Sequence, residues 1–339
     1  VTESAELGVA VVSDRMVVHA FAGQGDFTLA PLLRALDAQD VVEEALEEVA
    51  AEGDPVAGEF GVAPVVSRLL SGELRSSREL ADGPVGTPQY ALFACSVAVH
   101  RALCRSGLAP DRVVGMSFGD IAACVAAGIL DIADGTRVAC LVARALTGHP
   151  GGMLLVEPPV TDGDLEAEAH RLLAALDLPG LTLACVNDDR RVILTGPSDT
   201  VGLAEQLLLG LALPAVRLRL PFLCHHPELE DDARQFVDAI RDVRVEVAQL
   251  PVYSSLLGRA YRPDDDVREV LSYGLTRAAR LPGVLRQAVD GGPAVLLEAG
   301  TGSALTRSAR ELFEKDDVAA VAPLTVDGFA WVTGVSNGR

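Results

Sequence analysis

Positive charge is scarce in this chain of 339 residues: 28 Lys and Arg stand against 48 Asp and Glu, for a net charge of −20. That balance argues against nucleic acid as a partner. Long apolar runs are missing as well. No stretch approaches the roughly 18 apolar residues a bilayer-spanning helix needs, which argues against a membrane partner. Residues 1–6 (VTESAE) have neither the positive flank nor the apolar core of a secretory signal. The six cysteines, at 95, 104, 124, 140, 185 and 224, include no C-x-x-C pair, so neither a zinc site nor a disulfide framework is indicated. A reduced cytoplasm is the expected setting. No internal repeat and no low-complexity tract breaks the chain. What remains, 49% apolar and 22% charged residues, is a globular profile with material for about two domains.

The densest local signal is Gly115-Met116-Ser117-Phe118-Gly119-Asp120. The apolar pair Val113-Val114 precedes it, and the helix-like run from Ile121 to Gly128 follows. The pattern predicts a strand, a sharp turn and a helix, with a hydroxyl on the turn. Glycine on both sides lets the backbone take a conformation that other residues resist. Free N–H groups at the helix start suit an oxyanion. The arrangement fits covalent acyl chemistry at Ser117; the plainer alternative is a serine that only caps the helix.

A serine is a weak nucleophile without a base, and there are only six histidines. His19 ends a predicted first strand, 16–21, and reads as packed. His100 falls in a helical stretch, 91–104, while His149 and His170 fall in a loop or on an exposed helix. His225 and His226 lie in a loop between a predicted strand, 215–220, and a helix starting near Pro227. Loops at strand ends are where α/β folds hold catalytic groups. His226 reads as the cap of that helix and His225 as the base. Cys224, with no turn motif of its own, reads as a pocket wall.

From Gly151 the pattern changes. Strands at 153–157, 181–186, 191–194 and 215–220, with helices at 164–176 and 200–211, give the order βαββαβ. The predicted fold is α/β. A large α/β-hydrolase-like domain with a parallel sheet takes residues 1–149 and 221–339, and a small ferredoxin-like subdomain takes 150–220. A cleft between them holds Ser117, with His225 at the junction. Segments 53–65 and 258–266 read as loops, 294–297 as a further strand, and 328–339 as a loose tail.

Several separated segments together resemble the malonyl-CoA:acyl-carrier-protein transacylase family, which includes the acyltransferase domains of polyketide and fatty acid synthases. Phe21-Ala-Gly-Gln24-Gly25 is similar to that family's F-x-G-Q-G, Thr87-Pro-Gln89-Tyr-Ala-Leu-Phe93 to its T-Q-P-A-L-F, and Gly115–Asp120 to its G-H-S-x-G-E. Gly151-Gly-Met153 resembles its G-x-M. Asn187 with Val192–Gly196 resembles its N-x-P-x-x-V-V-x-S-G. Phe222-Leu-Cys224-His225 stands where the catalytic histidine is reached. Pro251–Ser255 and Leu297–Gly300 resemble its P-V-x-S-N and L-E-x-G-P.

The resemblance implies an acyl-serine at Ser117 with His225 as base and then acid. It implies an oxyanion hole from the N–H groups of Gln24 and Phe118, and a backbone carbonyl at Ser255 orienting the histidine. Gln89 and Asn187 would line or brace the pocket, together with Phe222. No metal or redox cofactor is implied. The substrate would be a phosphopantetheine thioester, on coenzyme A or an acyl carrier protein, and the setting polyketide-type biosynthesis by a discrete, trans-acting member.

The departures from the family carry information. An arginine that grips the free carboxylate of malonyl groups is replaced by Val142. Arg144 lies about 200° around the helix from that position and is expected to be solvated. A malonyl carboxylate buried there would lack a partner, so the expected acyl group is not a dicarboxylate half-thioester but an uncharged acyl or aminoacyl group. Met116 replaces the usual histidine, and Phe118 and Asp120 the usual Leu and Glu. The chain is acidic and so are carrier proteins, so contact would need a local basic patch. The candidates are Arg277, Arg280, Arg286, Arg307 and Arg310. Rival readings are an editing hydrolase that ends with water, a true α/β-hydrolase, which needs an acid between the serine and the histidine, and a non-catalytic docking protein.

Overall fold

The computed structural model describes residues 15–159, 164–329 and 331. Among the described residues, eleven strands form two sheets. The first, ordered β11-β10-β1-β2-β7-β8, uses β1 (Met16–Phe21), β2 (Arg112–Gly115), β7 (Val252–Ser254), β8 (Arg259–Ala260), β10 (Ala294–Glu298) and β11 (Val318–Val321). Its pairings are parallel except the last, where β8 runs antiparallel to β7. The inner strands are short, near-continuous apolar runs buried on both faces, as a helix-covered parallel sheet requires. The long helix Thr87–Arg105 is buried along most of its length and packs on helix Asp40–Glu59.

The second sheet, ordered β6-β3-β5-β4-β9, uses β3 (Gly151–Val156), β4 (Thr182–Val186), β5 (Val192–Pro197), β6 (Ala215–Arg217) and β9 (Ala279–Arg280). β3 pairs antiparallel with β5 and β6, and β4 antiparallel with β5. Helices Leu165–Leu176 and Ser198–Gly210 supply Leu165, Ala169, Val201, Ala204 and Leu208 to a small core of its own. The chain enters and leaves this unit side by side. Pro150 bridges Phe222, and the Leu223 N–H donates to the His149 carbonyl at 2.9 Å.

Five details differ from the sequence reading. The helix Asp40–Glu59 runs through much of the segment read as a loop at 53–65. Buried Asp54 explains this: it accepts from the Val66 and Ser67 N–H groups, Ser67 Oγ and Tyr90 Oη. Gly53 leaves room for the Tyr90 ring, since a Cβ there would lie 2.6 Å from its hydroxyl. Packing therefore outweighs the turn preference of Gly and Pro. The segment 258–266 contains β8, an edge strand, and β9 joins the small sheet from beyond residue 220, parallel to β4. The strand expected over 215–220 ends at Arg217. The expected tail is fastened at its start: Phe329 and Trp331 are buried, and Trp331 Nε1 donates to the Pro323 carbonyl at 2.9 Å. Residues 330 and 332–339 lie outside the described residues.

Candidate active site

β2 ends at Gly115, and the helix Gly119–Ala126 begins four residues later. Ser117 sits between them with φ 55°, in the left-handed region. For a non-glycine residue this costs of order 1–3 kcal/mol and persists only where the surroundings enforce it. The flanking glycines do that enforcing by permitting close approach. A Cβ at Gly115 would meet Asp120 Cα at 2.5 Å, and one at Gly119 would meet the Phe21 carbonyl at 2.1 Å. The helix start is thus pressed against the ends of β1 and β2, and the strain falls on the serine. The Ser117 N–H donates to Ser255 Oγ at 2.9 Å.

His225 is also left-handed, φ 55°, and is buried. Its Nε2 lies 2.6 Å from Ser117 Oγ and its Nδ1 2.6 Å from the Arg277 carbonyl. A carbonyl only accepts, so Nδ1 carries the proton and Nε2 presents its lone pair to the serine hydroxyl. Burial lowers the imidazole pKa from 6.5 to about 4, partly opposed by the Arg277 carbonyl. The ring is therefore neutral at pH 7, the form a general base needs.

Here the sequence expectation is corrected: the orienting carbonyl is that of Arg277, not Ser255. The Ser255 carbonyl already accepts from the Arg280 N–H at 2.8 Å, while its hydroxyl holds the Ser117 backbone. A backbone acceptor has no side-chain signature, so nothing in the sequence could mark Arg277 for this place. His226, as expected, caps the turn Pro227–Leu229, accepting from the Glu228 N–H. His19 is buried and His149 faces Asp232.

Two cavities meet at Ser117. One, of about 180 Å³, is lined by Ser117, His225, Met116, Asn187 and Cys224, with Arg191 and Arg307 also on its wall. Another, of about 20 Å³, is lined by Ser117, Phe118, Val142, Cys224, Leu271 and Gln24, and has no charged side chain on its wall among the described residues. Gln89 and Phe222 instead line a broad neighbouring groove of about 1170 Å³, which also reaches Gln24. Gln89 Nε2 donates to Gln24 Oε1 at 2.8 Å. Arg144 is exposed and stacks over the Phe60 ring, 4.6 Å from its centroid, so it stays out of the site as expected.

The five arginines read as a basic patch are largely engaged within the chain. Arg280 pairs with Glu166, Arg286 with Asp189 and Arg307 with Asp26. Arg277 stacks on Tyr273, and Arg310 donates to the Ala320 carbonyl. The sequence reading missed Arg191, which is held by the buried carboxylate of Asp188, and the Asp120 carboxyl, which accepts from Ser254 Oγ behind the nucleophile turn.

The acyl transferase domain family matches residues 15–328. Among curated proteins the chain is 29% identical over 286 residues to polyketide synthase GfsA of Streptomyces halstedii, covering 84% of this chain and 4% of that protein. It is 32% identical over 247 residues to the spectinabilin polyketide synthase system protein NorA' of Streptomyces orinoci, covering 68% and 6%. The chain thus spans a small part of the length of these relatives. Among solved structures, a malonyl CoA-acyl carrier protein transacylase from Coxiella burnetii superposes with TM-score 0.79 at 18% identity, covering 95% of this chain and 97% of that one. The corresponding enzyme from Xanthomonas oryzae pv. oryzae gives 0.76 at 23%, covering 91% and 95%. With a strained serine on a strand–turn–helix, an imidazole against its oxygen and a family match across nearly the whole described chain, this protein belongs to the acyl transferase domain family.

Proposed function

We propose that this chain moves an uncharged acyl or aminoacyl group between phosphopantetheine thioesters through an acyl-Ser117 intermediate. The observation that carries the chemistry is the 2.6 Å contact between Ser117 Oγ and a His225 ring whose other nitrogen is held by a carbonyl. Ser117 attacks the thioester carbonyl as His225 takes its proton. The N–H groups of Gln24 and Phe118 receive the developing oxyanion. The imidazolium then protonates the departing thiol. In the second half an acceptor thiol attacks the ester, with His225 as base again. Donor and acceptor are coenzyme A or an acyl carrier protein. A polyketide-type assembly line is the setting the relatives suggest.

The uncharged acyl group is supported by Val142, which lines the small cavity beside Ser117, where no cationic side chain stands among the described residues. The cations of the larger cavity are already held, Arg191 by Asp188 and Arg307 by Asp26. At about 20 Å³ the cavity holds little more than one water-sized group, which favours a short chain. We read 150–220 as a ferredoxin-like subdomain. The strand order β6-β3-β5-β4 and the two helices between strands support this.

The test is intact-mass analysis after exposure to matched acetyl, propionyl, aminoacyl and malonyl thioesters. The expected result is a covalent adduct with the uncharged groups that is absent in Ser117→Ala; preferential malonyl loading overturns the specificity. Val142→Arg is expected to raise malonyl loading relative to acetyl by at least tenfold. Hydrolysis is the other fate open to the same ester. It is distinguished by whether the loaded serine discharges to a carrier thiol or to water.

A further inference from the structure

Away from Ser117, the fold gathers His19, His100 and Cys104 around one point. Their ligand atoms all lie within 4.8 Å of one another. His100 and Cys104 stand one turn apart on the helix Thr87–Arg105, and so share a face. His19 comes from β1, eighty-one residues earlier. The two imidazoles are buried and Cys104 is half-buried, so the cluster opens to solvent on the cysteine side.

The hydrogen bonds fix which atoms are available. His19 Nε2 lies 2.8 Å from the Leu108 carbonyl, so that nitrogen carries the proton and Nδ1 is a lone pair. His19 Nδ1 faces His100 Nδ1 at 2.9 Å, which makes His100 the donor between them. Cys104 Sγ lies 3.8 Å from the same His100 nitrogen and 3.7 Å from His100 Nε2. A backbone carbonyl holding the far nitrogen of an imidazole is the usual outer support of a metal-bound histidine. In a tetrahedral zinc site, bond lengths of about 2.0–2.1 Å to nitrogen and about 2.3 Å to sulfur put two nitrogens roughly 3.3 Å apart and nitrogen and sulfur roughly 3.6 Å apart. The His19–His100 and His100–Cys104 separations, 2.9 and 3.8 Å, each lie within about half an ångström of that geometry.

We propose that His19 Nδ1, His100 Nδ1 and Cys104 Sγ form a binding site for zinc(II), with the fourth position left to water. On binding, the Cys104 thiol releases its proton to solvent and His100 moves its proton from Nδ1 to Nε2. No redox change is involved. The ion would fasten β1 to the helix Thr87–Arg105. Those two elements lead to Gln24 and carry Gln89, whose side chains are joined beside the active site. Spacing rules that look for paired cysteines pass over this cluster, because one ligand is remote in sequence.

The test is titration of the reduced, metal-stripped chain with cobalt(II), read by its thiolate-to-cobalt charge-transfer absorption, alongside thermal melts with and without zinc(II). The expected result is a band saturating at one ion per chain and a zinc-dependent rise in Tm, both lost in Cys104→Ser. That variant changes one atom at a half-buried position, and its melt without metal reports whether it folds. A band or zinc-dependent Tm rise that survives in folded Cys104→Ser, or no band in the parent chain, overturns the site. Should Cys104→Ser not fold, Cys104→Ala and His100→Gln serve as the second pair, with the same outcomes required.

Discussion

At the residue scale, Ser117 and His225 are arranged so that the base proposed at His225 needs no acidic partner. The Arg277 carbonyl fixes the tautomer by geometry and burial keeps the ring neutral. With a folded pKa of about 4 against 6.5 in the open chain, the neutral form persists well below ordinary histidine titration. Serine acylation is therefore expected to hold its rate as pH falls past 6.5 and to decline only toward 4; a rate halved near 6.5 contradicts this. The sign for stability follows. The unfolded imidazole binds its proton first, so the stabilising contribution of the buried neutral ring is full above 6.5 and is lost as pH falls from there through 4. His225→Ala is expected to slow acylation about 10²–10⁴-fold, read by burst amplitude and rate. The serine was legible in the sequence because glycine spacing reports local backbone geometry. Its partner histidine was legible by elimination among six. The Arg277 carbonyl was not, since a main-chain atom belongs to every residue alike.

At the element scale, the turn that carries Ser117 is backed by a buried acid. Asp120 sits in the first turn of the helix Gly119–Ala126, and its carboxyl accepts from Ser254 Oγ, with Tyr261 Oη at 3.4 Å. Burial raises its pKa from 3.8 to about 8, so it is protonated at neutral pH. Between those two values the folded chain binds a proton that the unfolded chain has released. Stability from this group is thus full below 3.8 and falls as pH rises through 8. Asp120→Asn removes the titration and is expected to flatten the fall in Tm between pH 6 and 9; an unchanged slope sinks the assignment. Ser254 Oγ also receives the Leu256 and Leu257 N–H groups, so the acid braces the loop that carries Ser255. Elements with strong periodicity, such as the helices near 164–176 and 200–211, were read within a few residues. The helix through Gly53 and Pro55 was not, because only donors elsewhere in the fold, the Val66 and Ser67 N–H groups and the Ser67 and Tyr90 hydroxyls, explain why Asp54 is buried there.

At the scale of the whole molecule, a net charge of −20 sets how an acidic carrier would approach. The arginines read as a basic landing site are mostly matched with carboxylates of the chain itself. Transfer to an acidic carrier is then expected to quicken as salt rises from low ionic strength toward about 0.15 M, where the screening length is about 8 Å. Stopped-flow transfer rates across a salt series check this, and a rate that falls with salt points to a local cationic contact. The strand–helix alternation and the βαββαβ order of the small unit follow from apolar patterning. The β9 pairing does not, because a two-residue strand has no period to read.

That short strand has a mechanical meaning. Within four residues the chain gives His225 its carbonyl, joins β9 to β4 of the small sheet, ties Arg280 N–H to Ser255 and clasps Glu166 with the Arg280 side chain. Any rocking of the small unit pulls on the same strap that aims the imidazole. Under the proposed function, a carrier that pries the two bodies apart is expected to detune the base, and one that draws them together to set it.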